Sequence, residues 1–182
     1  MLAVAALWPP VGRTYSNGPP PGHTGGFGEP TCRACHAGAE PAPAGALNLD
    51  VPAVCVAGAS YRFRVTLRDS SLRRGGFQLA ARFAEGEHSG EQAGELRATD
   101  GRAAIVVGPR AVLYAQHTKE GSTVVADSAT WALEWVAPAR SAGEAHIAVH
   151  VAANVANDDA SELGDVIHVT ERRLRCGGAP RD

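Results

Sequence analysis

From residue 46 onward, most of the chain consists of short stretches in which apolar and polar residues alternate. In the clearest one, residues 61–68, aromatic and aliphatic residues alternate with Arg62, Arg64, Thr66 and Arg68. This period of two is typical of a β-strand with one buried face. Similar stretches, or short apolar runs ended by Gly or Pro, lie at residues 77–80, 103–107, 112–117, 131–135, 146–151 and 166–174. No helical spacing is sustained, so the pattern predicts an all-β fold, a β-sandwich of about seven to nine strands.

The N-terminal part of the chain has a different texture. Residues 9–31 are dominated by Pro and Gly and show no apolar periodicity, which predicts irregular backbone. A segment with so few apolar residues has no core of its own and needs a ligand, a cofactor or the following domain to order it. The predicted organisation is an N-terminal tail or truncated signal at 1–15, a loop-rich segment at 16–45, a β-sandwich at 46–175 and a tail at 176–182.

Composition narrows the class of protein. With 182 residues and 45% hydrophobic content, the chain can bury one core. A net charge of −2 argues against a polybasic nucleic-acid binder, and no apolar run is long enough for a transmembrane helix. The apolar run at 2–8 has no basic residue before it, so it fits a truncated secretory signal and a mature N-terminus equally well.

Cys32, Cys35 and His36 form a C-x-x-C-H motif, which is the attachment sequence of c-type haem. The two thiols would form thioethers to the haem, and His36 would be the proximal ligand of its iron. A structural zinc site, a thioredoxin-like redox pair and a Cys32–Cys35 disulfide without cofactor stay open as alternatives. The absence of a second ligand pair disfavours zinc, and the absence of an α/β pattern disfavours the redox pair. Covalent haem attachment in bacteria takes place outside the cytoplasm.

The two other cysteines flank the predicted sandwich. Cys55 precedes the first long strand and Cys176 follows the last one. We therefore predict a disulfide between them, which also indicates an oxidising compartment.

A second axial ligand of a haem iron cannot be methionine, because Met1 is the only methionine. A histidine, Lys119 or no residue remains. We favour His117, which ends a predicted strand, and take His23, in the Gly- and Pro-rich run before Cys32, as the second candidate. A histidine in this position would predict a low reduction potential. The remaining histidines are assigned to the surface (His88, His168) or to one strand face (His146, His150).

Two further clusters have both a functional and an ordinary interpretation. An oxygen-rich loop could bind calcium, although Asn and Asp are also common turn formers; its candidate ligands are Asn154, Asn157, Asp158, Asp159 and Asp165. The basic face of Arg62, Arg64 and Arg68 is either a solvated sheet face or a patch that meets haem propionates or an acidic redox partner. No hydrolase or nucleotide-binding motif is present.

Residues 18–38, GPPPGHTGGFGEPTCRACHAG, resemble the N-terminal signature of the choice-of-anchor V domain family. Further matching motifs follow in order at residues 58–67, 73–79, 114–118, 131–138 and 152–167. The resemblance covers roughly residues 16–172 and implies a reeler/immunoglobulin-like β-sandwich placed outside the cell. The chain departs from the family after Arg175, where no hydrophobic tail follows, so we expect a free periplasmic or secreted protein rather than an anchored one.

Together these observations predict an extracytoplasmic electron-transfer protein with one covalent haem c, rather than an enzyme. Its expected partner is a redox protein or a multihaem assembly, and not nucleic acid. Two alternatives stay open. One is a non-redox cell-surface or adhesion sandwich whose N-terminal cysteines form a structural disulfide. The other is a haem-based binder of small ligands.

Overall fold

Two β-sheets packed face to face form the body of the computed structural model, which describes residues 15–38, 46–139 and 144–177. The described ranges contain three short 3₁₀ turns, ten strands and no α-helix. The strands are β1 (Leu47–Asp50), β2 (Val54–Val56), β3 (Ser60–Arg68), β4 (Arg74–Phe83), β5 (Glu95–Ala98), β6 (Ala103–Val107), β7 (Leu113–His117), β8 (Ser128–Val136), β9 (Ala145–Ala156) and β10 (Val166–Gly177).

The strand order confirms the predicted all-β sandwich. One sheet has four strands in the order β1-β3-β8-β5, and the other has six in the order β2-β10-β9-β4-β7-β6. The count of ten exceeds the predicted seven to nine, because β1, β2 and β5 have only three or four residues each, too few to show a period of two. The last strand, β10, continues to Gly177, two residues beyond the predicted end of the sandwich at 175. Residues 1–14 of the predicted N-terminal tail and 178–182 of the predicted C-terminal tail lie outside the described residues.

The core lies between the inner faces of the two sheets. Trp131 and Trp135 of β8 are fully buried there. The Trp131 ring packs on Phe77 of β4 with 4.5 Å between centroids, and Trp135 stacks on Phe63 of β3 at 5.1 Å. Each indole nitrogen donates a hydrogen bond to a backbone carbonyl, so neither polar group is buried without a partner.

The predicted disulfide is present at one edge of the six-stranded sheet. Cys55 of β2 and Cys176 of β10 are bonded and lie opposite each other in a parallel strand pair. The bond closes a loop with a sequence separation of 121 residues, so it ties the start of the sandwich to its last strand.

The outer face of the six-stranded sheet is covered by the N-terminal segment, residues 15–38. Gln78 of β4 accepts a hydrogen bond from the backbone N–H of His23 and donates one to the carbonyl of Pro20. Gly26 lies so close to His150 of β9 that a Cβ atom there would come within 2.4 Å of the ring. The β domain therefore orders the loop-rich segment, and β4 and β9 are buried on both faces.

Candidate functional site

A cavity of about 290 Å³ lies between the N-terminal segment and the six-stranded sheet. Its lining includes Cys32, Cys35 and His36 of the C-x-x-C-H motif, together with His23 and His117. The fold thus brings all five residues that the sequence singled out for haem into the wall of one cavity. They come from three places in the chain: the run before the motif, the motif itself and the end of β7.

Local backbone contacts explain how the motif is held. Cys32–Ala34 form a 3₁₀ turn that begins after Thr31, whose hydroxyl accepts a hydrogen bond from the N–H of Arg33. Beyond the motif, the N–H of Ala37 donates to the carbonyl of Glu162 at 2.8 Å, and the carbonyl of Ala37 accepts from Gly164 at the same distance. These contacts attach the motif to the loop between β9 and β10.

The two thiols of the motif are not bonded to each other. Cys32 is the more enclosed, and burial raises the pKa of its thiol to about 12, so Cys32 is protonated near neutral pH. The Cys32–Cys35 disulfide of the open alternative is therefore absent from this structure, whereas both thiols lie at the cavity wall.

His36 has a charged partner on one side of its ring. Its Nδ1 lies 2.6 Å from Oδ2 of Asp165, and the Asp165 side chain is only 1% exposed. An ionised carboxylate can only accept a hydrogen bond, so in this contact Nδ1 carries the proton. Nε2 of His36 has no hydrogen-bond partner among the described residues, which leaves its lone pair available. Histidines that bind metals are commonly held in this way: the ring nitrogen that does not bind the metal donates a hydrogen bond to a carboxylate.

The two candidates for a second axial ligand differ in their hydrogen bonds. Nδ1 of His23 lies 2.9 Å from the carbonyl of Pro20, and its Nε2 has no partner in the part of the chain that the structure describes. In His117, Nδ1 accepts from the N–H of Phe77 at 3.1 Å, and Nε2 lies 3.1 Å from the carbonyl of Tyr15. Burial lowers the pKa of His117, so its ring is neutral at physiological pH. Ligation by either residue stays a prediction.

Arg74 and Lys119 are the cationic side chains in the cavity lining. Arg74 donates to Asp158 at 3.1 Å and to the hydroxyl of Ser122 at 3.3 Å. The basic face predicted from the sequence is elsewhere. Arg62, Arg64 and Arg68 are exposed on β3, in the other sheet, and none of them lines the cavity. If haem occupies this cavity, the face cannot meet its propionates, and contact of the face with an acidic redox partner stays a prediction beside the interpretation as a solvated face.

The predictions for the remaining histidines are confirmed only in part, and the one for the oxygen-rich loop is untested. His88 is exposed as predicted, but His168 is only 7% exposed, so its assignment to the surface is wrong. Within the described ranges, no three His, Cys, Asp or Glu side chains are grouped so as to hold a metal ion. A haem iron needs no such group, because the porphyrin supplies four of its ligands. Calcium binding by Asn154, Asn157, Asp158, Asp159 and Asp165 stays a prediction.

Two groups of interacting residues escaped the sequence analysis. One is the pair of His36 and Asp165, because the sequence suggested Asp165 only as a turn former or a calcium ligand. The other is Glu29, which contacts the buried Arg82 and Tyr114. A charged residue close to apolar neighbours near the end of a strand, as Arg82 is in β4, was the available signal for a buried partner.

Comparisons with known proteins do not show a family for this chain. No protein-family model and no curated protein matches the chain. Among solved structures, a human F-spondin reeler domain is 19% identical with a TM-score of 0.48, covering 76% of this chain and 94% of that one. The Reelin-N domain of F-spondin is 18% identical with a TM-score of 0.45, covering 74% and 89%. A cohesin module from a Clostridium perfringens family 33 glycoside hydrolase is 6% identical with a TM-score of 0.47, covering 73% and 96%. The assignment as a β-sandwich rests on the two sheets themselves.

In the part of the chain that the structure describes, no helix is long and apolar enough to cross a membrane.

Proposed function

We propose that this protein is a periplasmic or secreted electron carrier that binds one haem c covalently between its N-terminal segment and the six-stranded sheet. One observation carries the proposal: Cys32, Cys35 and His36 line the same cavity as two further histidines from outside the motif. The Cys55–Cys176 disulfide supports an oxidising compartment, which is where covalent haem attachment occurs.

The residues of the cavity fit the chemical demands of this cofactor. Cys32 and Cys35 would hold it through thioethers, and His36 would bind its iron through the available Nε2. Phe77, Pro19 and Pro20 supply apolar wall, and Arg74 and Lys119 supply positive charge suited to the two propionates. Haem, when bound, supplies a reversible one-electron couple.

The chain's own contribution is to bind and orient the haem. The N-terminal segment lies over the sheet and forms one wall of the cavity. The backbone contacts of Ala37 fix the position of the motif relative to the loop between β9 and β10. Electron transfer requires a partner, which we propose to be a redox protein or a multihaem assembly.

His23 is the better prepared of the two candidates for a second axial ligand. Its Nδ1 is already bonded to a carbonyl, so Nε2 is available without rearrangement. His117 would have to release the Tyr15 carbonyl and change its tautomer, which would leave the N–H of Phe77 without its acceptor. A buried N–H without an acceptor costs about 1–3 kcal/mol.

The decisive test is covalent haem content. We expect the full chain, expressed in a host that matures c-type cytochromes and exports it, to show one haem per chain by pyridine haemochrome assay and a mass increase equal to one haem. The Cys32→Ser/Cys35→Ser double variant should lose both signals, whereas His88→Ala, which changes an exposed residue outside the cavity, should keep them. A colourless wild-type protein with the mass of the bare polypeptide would contradict the proposal.

The same experiment tests the second candidate function, a cell-surface module without redox activity. The β-sandwich and the disulfide-bonded pair of β2 and β10 favour this alternative, because they need no cofactor to be stable. A wild-type protein that folds, keeps the Cys55–Cys176 disulfide and carries no haem would support it.

A further inference from the structure

Asp165 lies in the loop that follows β9, 129 positions from His36, and the two side chains are in direct contact. We propose that Asp165 is a positioning residue that tunes His36: it fixes the ring with its proton on Nδ1 and, as a buried anion, makes Nε2 a stronger electron donor, which favours the ferric state. This inference rests on the proposed function, because it concerns the haem that His36 would bind.

The contact has the geometry of a strong hydrogen bond. Nδ1 of His36 and Oδ2 of Asp165 are 2.6 Å apart, and the two side chains are 17% and 1% exposed. A hydrogen bond with an ionised partner in a site of low dielectric is about twice as strong as a neutral one. The anion therefore acts on the ring with little screening by water.

The other partners of Asp165 are uncharged amides. Asn154 donates from Nδ2 to Oδ2 at 2.9 Å, and the backbone N–H of Asn157 donates to Oδ1 at 3.3 Å. Neither neutralises the carboxylate. Among its hydrogen-bond partners in the described residues, His36 is therefore the one that can gain positive character, and this character grows when the iron that it binds is oxidised.

The backbone makes this pair rigid. Ala37, next to His36, is hydrogen-bonded to Glu162 and Gly164 on either side of Leu163. Gly38 packs directly on the carbonyl of Asp165, since a Cβ at Gly38 would come within 1.6 Å of that oxygen. The two chain segments thus approach as closely as glycine allows, which holds the ring and the carboxylate together.

The electronic consequence follows from the charge. A carboxylate that draws the Nδ1 proton toward itself raises the electron density on Nε2, and a more basic axial ligand stabilises the higher oxidation state of the metal. The same bonds give Asp165 a role that does not involve calcium, because Oδ2 faces His36 and Asn154 rather than the other acidic residues of its loop.

The test is the midpoint potential of the purified holoprotein by spectroelectrochemistry. Asp165→Asn keeps an acceptor oxygen for Nδ1 but removes the charge. We expect the ferric-to-ferrous ratio at a fixed potential to fall about tenfold, which is a rise of about 59 mV for a one-electron couple. The Nδ2 of Asn154 donates to Oδ2 and also lies 3.2 Å from Nδ1 of His36. Asn154→Ala removes this donor, leaves the carboxylate less stabilised and closer to a sole interaction with His36, and should shift the potential in the opposite direction. Asp50→Asn is the control, because it removes an exposed carboxylate from β1 in the other sheet and should change nothing.

The outcomes separate this inference from the proposed function. Opposite shifts in the Asp165→Asn and Asn154→Ala proteins support the inference. Covalent haem in all variants with an unchanged potential in Asp165→Asn, or shifts of the same sign in both, would overturn it and leave the proposed function intact. If Asp165→Asn does not fold, Asn154→Ala decides alone: a lower potential supports the inference, and an unchanged or higher one refutes it. A wild-type protein without haem would refute the proposed function itself.

Discussion

Glu29 and Arg82 form an ion pair beneath the N-terminal segment, on the face of β4 that points away from the core. The Arg82 side chain is 1% exposed, its Nη2 also donates to the hydroxyl of Tyr114 at 2.9 Å, and the ring of Phe27 lies 5.2 Å from its guanidinium carbon. Because Glu29 is three positions before Cys32, this pair helps to fix where the C-x-x-C-H motif meets the sheet.

Glu29→Ala should destabilise the protein by about 3–5 kcal/mol, because it leaves a buried guanidinium without its counter-charge. Among the described residues, Nε and Nη1 of Arg82 have no hydrogen-bond partner, so neither atom compensates for the lost contact with Glu29. Urea unfolding at pH 7 measures the change. The control is Glu95→Ala, which breaks a solvent-exposed pair with Arg97 and should leave stability unchanged within error. Equal stabilities for Glu29→Ala and the control would contradict the structural role of the pair.

Stability should also depend on pH through Glu29. Burial alone would raise the pKa of this carboxyl, but the hydrogen bonds from Thr24, Tyr114 and Arg82, together with the Arg82 charge, outweigh it and hold the pKa below 4.5. A lowered pKa in the folded state means that its stabilisation is complete above pH 4.5 and is lost as the pH falls through the folded-state value. The difference in unfolding free energy between wild type and Glu29→Gln should therefore be constant from pH 7 to about pH 5 and shrink below that. A difference that stays constant down to pH 3 would argue against this pKa shift.

The sandwich could be predicted from the sequence because its long strands have one uniform inner face. In β3, Phe63, Val65 and Leu67 alternate with polar residues, and the structure buries all three. The covering of the other sheet was harder to foresee. Gly76 and Ala80 on the outer face of β4 are small enough for a chain to pack on them, but a small residue does not identify the segment that covers it.

The candidate site, too, could be predicted from the sequence only in part. The motif residues Cys32, Cys35 and His36 were recognisable because their spacing is local. The contact of His36 with Asp165 was not, because both residues lie in loops, where no periodicity determines direction, and 129 positions separate them. Only the folded backbone, with Ala37 bonded to the loop after β9, brings them together.

A comparison of two histidine variants tests the second axial ligand. We expect His23→Ala to convert the haem from low spin to high spin in absorption spectra, because His23 has an available Nε2 at the cavity. His117→Ala should leave a low-spin spectrum, although it removes the acceptor for the N–H of Phe77 and should lower stability by about 1–3 kcal/mol. The reverse result, with a high-spin spectrum only in His117→Ala, would assign the ligand to His117, as the sequence alone favoured.

The Cys55–Cys176 disulfide should contribute about 4–5 kcal/mol to stability, because it closes a very long loop and so restricts the unfolded chain. Urea unfolding of the Cys55→Ala/Cys176→Ala double variant measures this contribution. The wild-type protein unfolded under reducing conditions should lose a similar amount, which separates loss of the bond from loss of the side chains. A double variant as stable as the oxidised wild type would show that the disulfide is dispensable.

Gly38→Ala tests the close approach between the motif and the loop after β9. The added methyl group would overlap the carbonyl of Asp165, so the two segments must move apart. Such overpacking typically costs about 1–3 kcal/mol, and we expect a loss of that size in urea unfolding. Gly177→Ala is the matched control, because no atom of the described residues lies within 4 Å of the added methyl group, and its stability should equal that of wild type. Because the separation also pulls His36 away from Asp165, the Gly38→Ala holoprotein should shift its midpoint potential upward, in the same direction as Asp165→Asn. An unchanged stability and potential in Gly38→Ala would mean that the two segments are not in contact as described.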